Sequence, residues 1–372
     1  MNLARDAGPE SRLPAEPARP PPLVSVIMIF LNARKYIADA IESVLAQSIQ
    51  SWELVLVDDG SSDGSREVAA AFAASHAERI RIYEHPGRRN LGTGPSRNLG
   101  MHMARGRYLA FLDADDLYEP MRLERAVQPL EADPELGVVI NSECYWHSWQ
   151  PSGSGHNRLA RRPDEIVGAS AVHDQVIPPP VLIAATMATR GAAMPAVCSI
   201  TFRRQSIIEL GGVPEMFASQ YEDQALIAKL LLNRSAMVIE DCLARYRQHA
   251  ESLTHQAMES GAYRPGRPHA EREQFIRWLL DYARSLSIDE PVLMNALADE
   301  LAAPRRHFAL ALDAVRRRLR RALLLTANAI LPQSAVDRLV RWYLERQRKG
   351  AARTAARHTS AIGVQDARGD EK

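Results

Sequence analysis

The chain has 372 residues, of which 46% are hydrophobic, and its formal net charge is +1. This length suits one large domain with an appendage or two domains, and the near-neutral charge gives no general indication of nucleic-acid binding. No run of about 18 apolar residues predicts a transmembrane helix. The three widely spaced cysteines and the absence of a signal-peptide pattern predict a cytoplasmic protein.

The first third of the chain alternates apolar runs with segments of helical periodicity. Residues 1–21 are rich in Pro, Ala, Arg and Glu, which predicts a disordered leader. The apolar runs lie at 23–31, 52–57, 80–83 and 108–112. Because short connections join strands and helices in turn, the pattern predicts a parallel sheet covered by helices on both faces.

The fourth apolar run, Tyr108 to Leu112, ends at three carboxylates, Asp113, Asp115 and Asp116. Strands of a parallel sheet end at the crevice where ligands bind. Carboxylates this close repel one another unless a cation lies among them, and Mg²⁺ and Mn²⁺ prefer a few carboxylate oxygens plus phosphate. The alternative is a solvated turn, with Asp116 capping a helix predicted over 117–130.

The second half of the chain has a weaker pattern. Further strands are predicted at 137–140, 199–202 and 237–239, and an apolar helix at 225–232 follows Glu222 and Asp223. A long loop is predicted from about 146 to 180.

After about residue 265 the pattern is helical and lacks strands. Between residues 305 and 353 there are 13 Lys or Arg against 3 Asp or Glu. Two interpretations stay open: a helical hairpin lying on an anionic membrane, or a helical appendage packing on the core or a second subunit. Residues 354–372 are predicted to be disordered.

Six short motifs occur in one order along the chain, and their combination resembles a family 2 glycosyltransferase of the GT-A fold over roughly residues 22–255. The motifs are Val24-Ser25-Val26-Ile27, Val57 to Gly64, Ser96-Arg97-Asn98, Phe111 to Asp116, Gly211-Gly212 with Glu222-Asp223, and Arg245 to His249. The resemblance implies an α/β fold, a Rossmann-like, mostly parallel sheet with helices on both faces, followed by a helical region. The predicted divisions are the disordered leader (1–21), the GT-A glycosyltransferase domain (22–260), a helical basic region (261–353) and a disordered tail (354–372).

The resemblance also implies an activity, the transfer of a sugar from a nucleotide-sugar, usually UDP-linked, with inversion and with Mn²⁺ or Mg²⁺. The expected acceptor is a saccharide or a lipid-linked molecule in cell-surface polysaccharide or glycolipid synthesis, with no nucleic acid as partner. The enzyme is expected in the cytoplasm, with peripheral contact to the inner face of the membrane through 305–353 as an option. Asp59 is expected to recognise the base, Arg97 and Asn98 to line the donor pocket, and Asp113 to lie near the ribose and the metal.

Three more residues are implied in the reaction itself. Asp115 is the expected direct metal ligand, His249 approaches the metal or the diphosphate, and Asp223 is the general base. The chemistry agrees, because a cation stabilises the charge that develops on the leaving phosphate and a carboxylate removes the proton of the acceptor hydroxyl. One displacement needs one base and inverts the anomeric carbon.

Each of these residues also has a structural alternative. Asp59 could serve a turn, Asp223 the dipole of a helix N-terminus, and Arg97 a surface ion pair. Trp146 and Trp149, in the predicted loop, either stack on an acceptor sugar or pack within the protein. Two other functions remain open. A sugar nucleotidyltransferase favours a Gly-rich basic loop after the first strand, where this chain has 30–34, Phe-Leu-Asn-Ala-Arg. A non-catalytic nucleotide-sugar-binding module would not need Asp223.

Overall fold

The computed structural model describes residues 20–149, 163–167, 174–191, 194–218, 220–260 and 269–302. The first elements are β1 (Val24–Phe30), α1 (Ile37–Leu45), β2 (Trp52–Asp58), α2 (Ser65–Ser75), β3 (Ile80–Glu84), α3 (Thr93–Met103), β4 (Tyr108–Phe111), β5 (Leu117–Tyr118) and α4 (Arg122–Ala132). They are followed by β6 (Leu136–Trp146), β7 (Glu165–Val167), β8 (Val176–Ile177), α5 (Val181–Ala188), β9 (Ile200–Arg203), α6 (Arg204–Leu210), α7 (Glu222–Asn233), β10 (Ser235–Arg247), α8 (Leu253–Ser260), α9 (Ala270–Ser285) and a helix over 291–302.

The strands form one sheet in the order β3-β2-β1-β4-β9-β6-β10-β5, with β7 beside β6 and β8 beside β10. Strands β1 to β4 are parallel wherever they pair. Strand β9 is antiparallel to both β4 and β6, whereas β10 runs parallel to β6. The predicted α/β sheet is therefore confirmed, with a parallel half at the N-terminal side and a mixed half beyond β9.

The sheet is buried on both faces, which explains why β1 and β2 are apolar along almost their whole length. Because side chains alternate across a strand, Ile27 and Ile29 join one core while Met28 and Phe30 join the other. Helices α1 and α4 cover one face, and α3, α5, α7 and α9 cover the opposite face. No helix among the described residues has the length and apolarity needed to cross a bilayer.

Two predictions about boundaries need correction. The helix predicted from residue 117 begins at Arg122, because Leu117 and Tyr118 pair with β10 as β5. The division predicted after residue 260 falls inside a packed unit that extends to Leu301. Helix α9 packs on α7, and Phe275 and Leu279 are fully buried in the same core as the sheet. The basic segment 305–353, the tail 354–372 and nearly all of the leader lie outside the described residues.

Candidate functional site

Four carboxylates of the motifs lie around the turn that follows β4, near the end of β10 and the start of α7. Asp113, Asp115 and Asp116 follow β4 directly, and Asp223 lies in the first turn of α7. Asp59 comes immediately after β2, next to β1 and therefore on the same edge of the sheet. This edge, at the carboxyl ends of parallel strands, is where open α/β sheets bind ligands.

The end of β10 holds the turn that follows β4. The Asp115 Oδ2 atom lies 2.9 Å from His249 Nε2, and Arg247 Nε donates to the Asp115 carbonyl oxygen at 2.7 Å. The Arg247 backbone N–H also donates to Asp116 Oδ1 at 2.9 Å. Asp116 is therefore bound to β10 and does not cap a helix, which corrects the prediction. Its burial, with the charges of Asp115 and Asp113, raises its pKa well above the ordinary value.

Arg247 lies in the motif Arg245 to His249, but the sequence alone predicted no role for it. Its guanidinium lies about 5 Å from the ring centroids of Tyr36, Trp146 and Trp149. It also forms an ion pair with Asp39 at 3.1 Å. The two half-buried tryptophans therefore pack on Arg247, in agreement with the packing alternative. Only 4% of Arg247 is exposed, so rings and carboxylate together fix its orientation towards Asp115.

Arg97 links the turn after β4 to the start of α7. Its Nη2 atom donates to Asp113 Oδ1 at 3.0 Å, and its Nε atom lies 3.7 Å from Glu222 Oε1. Arg97 is 4% exposed, so it is a buried ion pair and not the surface pair of the alternative. Helix α3 can carry Arg97 this close because Gly100 faces Ile27 of β1, where a Cβ would lie 2.4 Å from the Ile27 side chain.

The charges around Arg97 are unbalanced in favour of the acids. Burial opposes the charge on Arg97, but Asp113, Glu222 and Asp223 outweigh that effect and raise its pKa. Burial also raises the pKa of Asp113; Arg97 counteracts that shift, and Asp115 adds to it. One guanidinium therefore serves several carboxylates.

Asp223, the predicted general base, lies in an environment that favours its protonated form. Burial and then the charge of Glu222 raise its pKa to about 7, although Arg97 acts in the opposite direction. Within the described residues, its carboxylate accepts one hydrogen bond, from the Gln224 backbone N–H at 2.7 Å. A carboxylate with this pKa can accept a proton near neutral pH. Glu222 was missed as a neighbour that tunes Asp223, although it is adjacent in the sequence.

Asp59 is 5% exposed and holds the loop that follows β3. Its two carboxylate oxygens accept the backbone N–H groups of Leu91 and Gly92 at 2.8 and 3.0 Å. Each carboxylate oxygen has a second lone pair, so these contacts leave acceptor capacity. The adjacent Asp58 is fully buried, and its Oδ2 atom has no hydrogen-bond partner among the described residues.

Asn98 is not brought together with the carboxylates by any described contact. Its side-chain amide donates to the Val213 carbonyl at 3.0 Å and accepts the Val213 N–H at 2.8 Å. The pair fixes the loop after α6, where a Cβ on Gly212 would lie 2.1 Å from the Asn98 Oδ1 atom. The contacts therefore indicate a role in holding this loop.

The three predicted metal ligands do not form one cluster. Asp115 and His249 are in contact, but the Asp113 carboxylate is bound to Arg97. Within the part of the chain that the structure describes, no group of three or more Asp, Glu, His or Cys side chains has a metal-binding arrangement. The Asp115–His249 pair still fits a divalent cation, because such ions are held by one or two protein ligands together with substrate phosphates.

Comparisons with known proteins identify a family model and two relatives that are similar to part of this chain. Residues 25–170 match the family model described as glycosyl transferase family 2. Over 118 residues the chain is 41% identical to a Bacillus subtilis protein named as the glycosyltransferase EpsE. This match covers 32% of this chain and 42% of EpsE. Over 107 residues it is 42% identical to TuaG of Bacillus subtilis, named as a teichuronic acid biosynthesis glycosyltransferase, covering 29% of this chain and 41% of TuaG. The chain thus spans about two fifths of the length of these curated relatives.

A solved structure extends the similarity of the fold beyond the matched segment. The mannosyltransferase PcManGT from Pyrobaculum calidifontis, in complex with GDP-Man and Mn²⁺, aligns with a TM-score of 0.51 at 18% sequence identity. The alignment covers 95% of this chain and 89% of PcManGT. The likeness confirms the predicted GT-A-type α/β fold.

Proposed function

We propose that the chain is a metal-dependent, inverting glycosyltransferase that moves a sugar from a nucleotide-sugar to an acceptor hydroxyl. The match of residues 25–170 to the glycosyl transferase family 2 model supports this proposal. The observation that carries the proposal is the position of Arg97. It bonds Asp113, next to the Asp115–His249 pair, and lies close to Glu222, next to Asp223. The candidate cation ligands, Asp115 and His249, and the candidate base, Asp223, therefore border one site.

The donor half of the site is built from β2, β4 and the end of β10. Asp59 is proposed to recognise the base and Asp113 to lie near the ribose, with Arg97 between Asp113 and the start of α7. Asp115 and His249 would hold Mn²⁺ or Mg²⁺, which when bound would stabilise the charge of the leaving diphosphate. In this proposal, Asn98 supports the donor pocket by holding the loop after α6 through its hydrogen bonds with Val213.

The acceptor half depends on Asp223 as the general base. Its raised pKa supports this role, because a base with a pKa near the working pH is the most effective one. A single base accounts for inversion, since one displacement needs no second nucleophilic carboxylate. We propose a saccharide or lipid-linked acceptor in cell-surface polysaccharide synthesis, which the name of TuaG supports.

Calorimetric titration of UDP and GDP, with and without Mn²⁺, tests the donor half. We propose a UDP-linked donor and therefore expect UDP to bind only with Mn²⁺. In Asp115→Ala, the cation loses its carboxylate ligand, so we expect binding to fall at least tenfold. Asp281→Ala removes a carboxylate that is 79% exposed on α9 and serves as the control, with unchanged binding.

Two other results would change the proposal in different ways. Preference for GDP would keep the site and change the donor. Nucleotide binding that needs no metal and survives Asp115→Ala would remove Asp115 from the site, and with it the metal-dependent mechanism.

A further inference from the structure

We infer that Tyr36 and Glu251 position His249 as a metal ligand by fixing which ring nitrogen carries its proton. The inference rests on the proposed function, because it needs His249 to bind the cation together with Asp115. It concerns two residues to which neither the motifs nor the comparisons assign a role. Both act through His249, so they are positioning residues and not catalytic ones.

The three side chains form a continuous hydrogen-bonded row that ends at Asp115. The Tyr36 hydroxyl donates to Glu251 Oε2 at 2.9 Å and lies 3.2 Å from His249 Nδ1. The other ring nitrogen of His249, Nε2, lies 2.9 Å from Asp115 Oδ2. Tyr36 and His249 are 5% and 4% exposed, so water has little access to the contacts between them.

The number of protons in the row determines the direction of each hydrogen bond. A carboxylate only accepts, so the single proton of the Tyr36 hydroxyl must be donated to Glu251. The hydroxyl oxygen can then only accept from His249, which requires a proton on Nδ1. Asp115 likewise only accepts, so without a cation its 2.9 Å contact needs a proton on Nε2. A bound cation would take the place of that proton, and the neutral imidazole would then keep its proton on Nδ1 and have its lone pair on Nε2.

This arrangement is the one that a metal site needs. A ligating histidine usually donates its second ring N–H to a neighbouring acceptor, which fixes both the tautomer and the orientation of the ring. Here the acceptor is a phenol oxygen that is itself oriented by a carboxylate. A cation between Asp115 and His249 would therefore replace the proton on Nε2 and bind one carboxylate oxygen and one ring nitrogen that are already in place.

Packing holds the row in place. The rings of Tyr36 and His249 have centroids 4.6 Å apart, and Trp149 contacts both rings edge-on. At the outer end, Lys35 Nζ lies 3.3 Å from Glu251 Oε1 and 5.0 Å from the centroid of the Tyr36 ring. Since Tyr36 directly precedes α1, the connection between β1 and α1 supports a ligand that follows β10.

Tyr36→Phe tests the inference because it removes the hydroxyl and keeps the ring that packs on His249. We expect the affinity for Mn²⁺, measured with UDP by the electron paramagnetic resonance signal of free Mn²⁺, to fall 10- to 100-fold. Long-range proton–nitrogen NMR with Mg²⁺ and UDP reports the tautomer directly. We expect His249 to carry its proton on Nδ1 in the wild type, and Tyr36→Phe to show less of this metal-bound form at the same Mg²⁺ and UDP concentrations.

Three further variants separate positioning from general damage. Glu251→Gln keeps an oxygen acceptor for Tyr36 and should retain most of the affinity, whereas Glu251→Leu should lose it as Tyr36→Phe does. Tyr36→Phe combined with His249→Ala should bind Mn²⁺ no more weakly than His249→Ala alone. Tyr282→Phe is the matched control, since it removes a half-buried hydroxyl that contacts Asn233 on another helix.

The outcomes distinguish the inference from the proposed function. If the wild type does not bind Mn²⁺, or if His249→Ala binds it as tightly as the wild type, the proposed metal role of His249 is wrong and the inference falls with it. If His249→Ala weakens binding while Tyr36→Phe keeps both the affinity and the Nδ1 tautomer, only the inference is overturned.

Discussion

The two ends of the candidate site contain similar carboxylates in opposite environments. At one end, Asp115 contacts His249 through its side chain and Arg247 through its carbonyl oxygen. At the other end, Asp223 shares its nearest guanidinium, that of Arg97, with two other acids. The Asp115 side chain has an imidazole partner although Asp113 and Asp116 lie nearby, whereas the Asp223 carboxylate lies beside Glu222 and depends on a shared guanidinium.

This difference indicates a division of tasks. A carboxylate beside an imidazole nitrogen is suited to a cation. A surplus of negative charge instead makes a carboxylate bind its proton more tightly. Opposite environments for two acids of one site are typical of separate chemical roles. The comparison predicts that substitutions at the Asp115 end change donor affinity and that substitutions at the Asp223 end change turnover.

The largest expected effect is that of Asp223→Asn. Asparagine keeps the shape of the side chain but cannot accept the proton of the acceptor hydroxyl. We expect the transfer rate at saturating substrate to fall by about 10²- to 10⁴-fold, with Mn²⁺-dependent nucleotide affinity within threefold of the wild type by calorimetry.

Asp63→Asn is a matched control for Asp223→Asn, since Asp63 accepts hydrogen bonds from Arg34 and Ser65 in the turn before α2. It should retain nearly full transfer. Unchanged transfer by Asp223→Asn would assign the base to another residue. A loss of nucleotide affinity as large as the loss of turnover would contradict the division between the two ends.

Arg97→Met should have the second largest effect, and it acts on stability. The substitution leaves the partly exposed Asp113 carboxylate and the buried Glu222 without their shared cation. Breaking a buried ion pair by removing one partner costs about 3–5 kcal/mol. We expect a loss of this size in the free energy of unfolding, measured by urea denaturation.

Arg277→Met provides the matched comparison for Arg97→Met, because Arg277 is 64% exposed and pairs with Glu273 along α9. Its unfolding free energy should stay within about 0.5 kcal/mol of the wild type. Equal effects of the two substitutions would show that Arg97 does not compensate buried charge.

The parallel half of the sheet could be predicted from local patterns. Strands β1 and β2 are covered on both faces and are therefore recognisable as largely apolar runs, each interrupted near its start by one polar residue, Ser25 or Glu53. The position of the acids after β4 at a ligand-binding edge could be predicted as well, because the carboxyl ends of such strands meet at one edge of the sheet. Arg97 and Asp223 were predicted in the site from the resemblance, and the structure brings them together.

The contacts that tune the site could not be predicted in the same way. Asp116 accepts from Arg247 across 131 positions of sequence, and Tyr36 meets His249 across 213. Periodicity describes which face a residue occupies but not which distant segment packs on that face. Strand β5 was missed for the same reason, since two residues become a strand only through pairing with β10.

The smallest expected effect concerns pH, and it has opposite signs for activity and stability. With a pKa of about 7, Asp223 is protonated below neutral pH and cannot act as a base. We therefore expect the transfer rate to fall about tenfold for each pH unit below 7 and to be constant above it. The residual transfer rate of Asp223→Asn should not show this fall below pH 7.

Stability should change in the other direction, because the raised pKa means that the folded state binds this proton more tightly than the unfolded state. The contribution of Asp223 to stability is complete below its ordinary pKa of 3.8 and is lost as pH rises to about 7. Asp223→Asn should therefore be more stable than the wild type at pH 8 and close to it at pH 4.5, as measured by urea denaturation. A difference in unfolding free energy that does not depend on pH would mean that Asp223 has an ordinary pKa, and the surplus of negative charge around Arg97 would then not be what prepares it as a base.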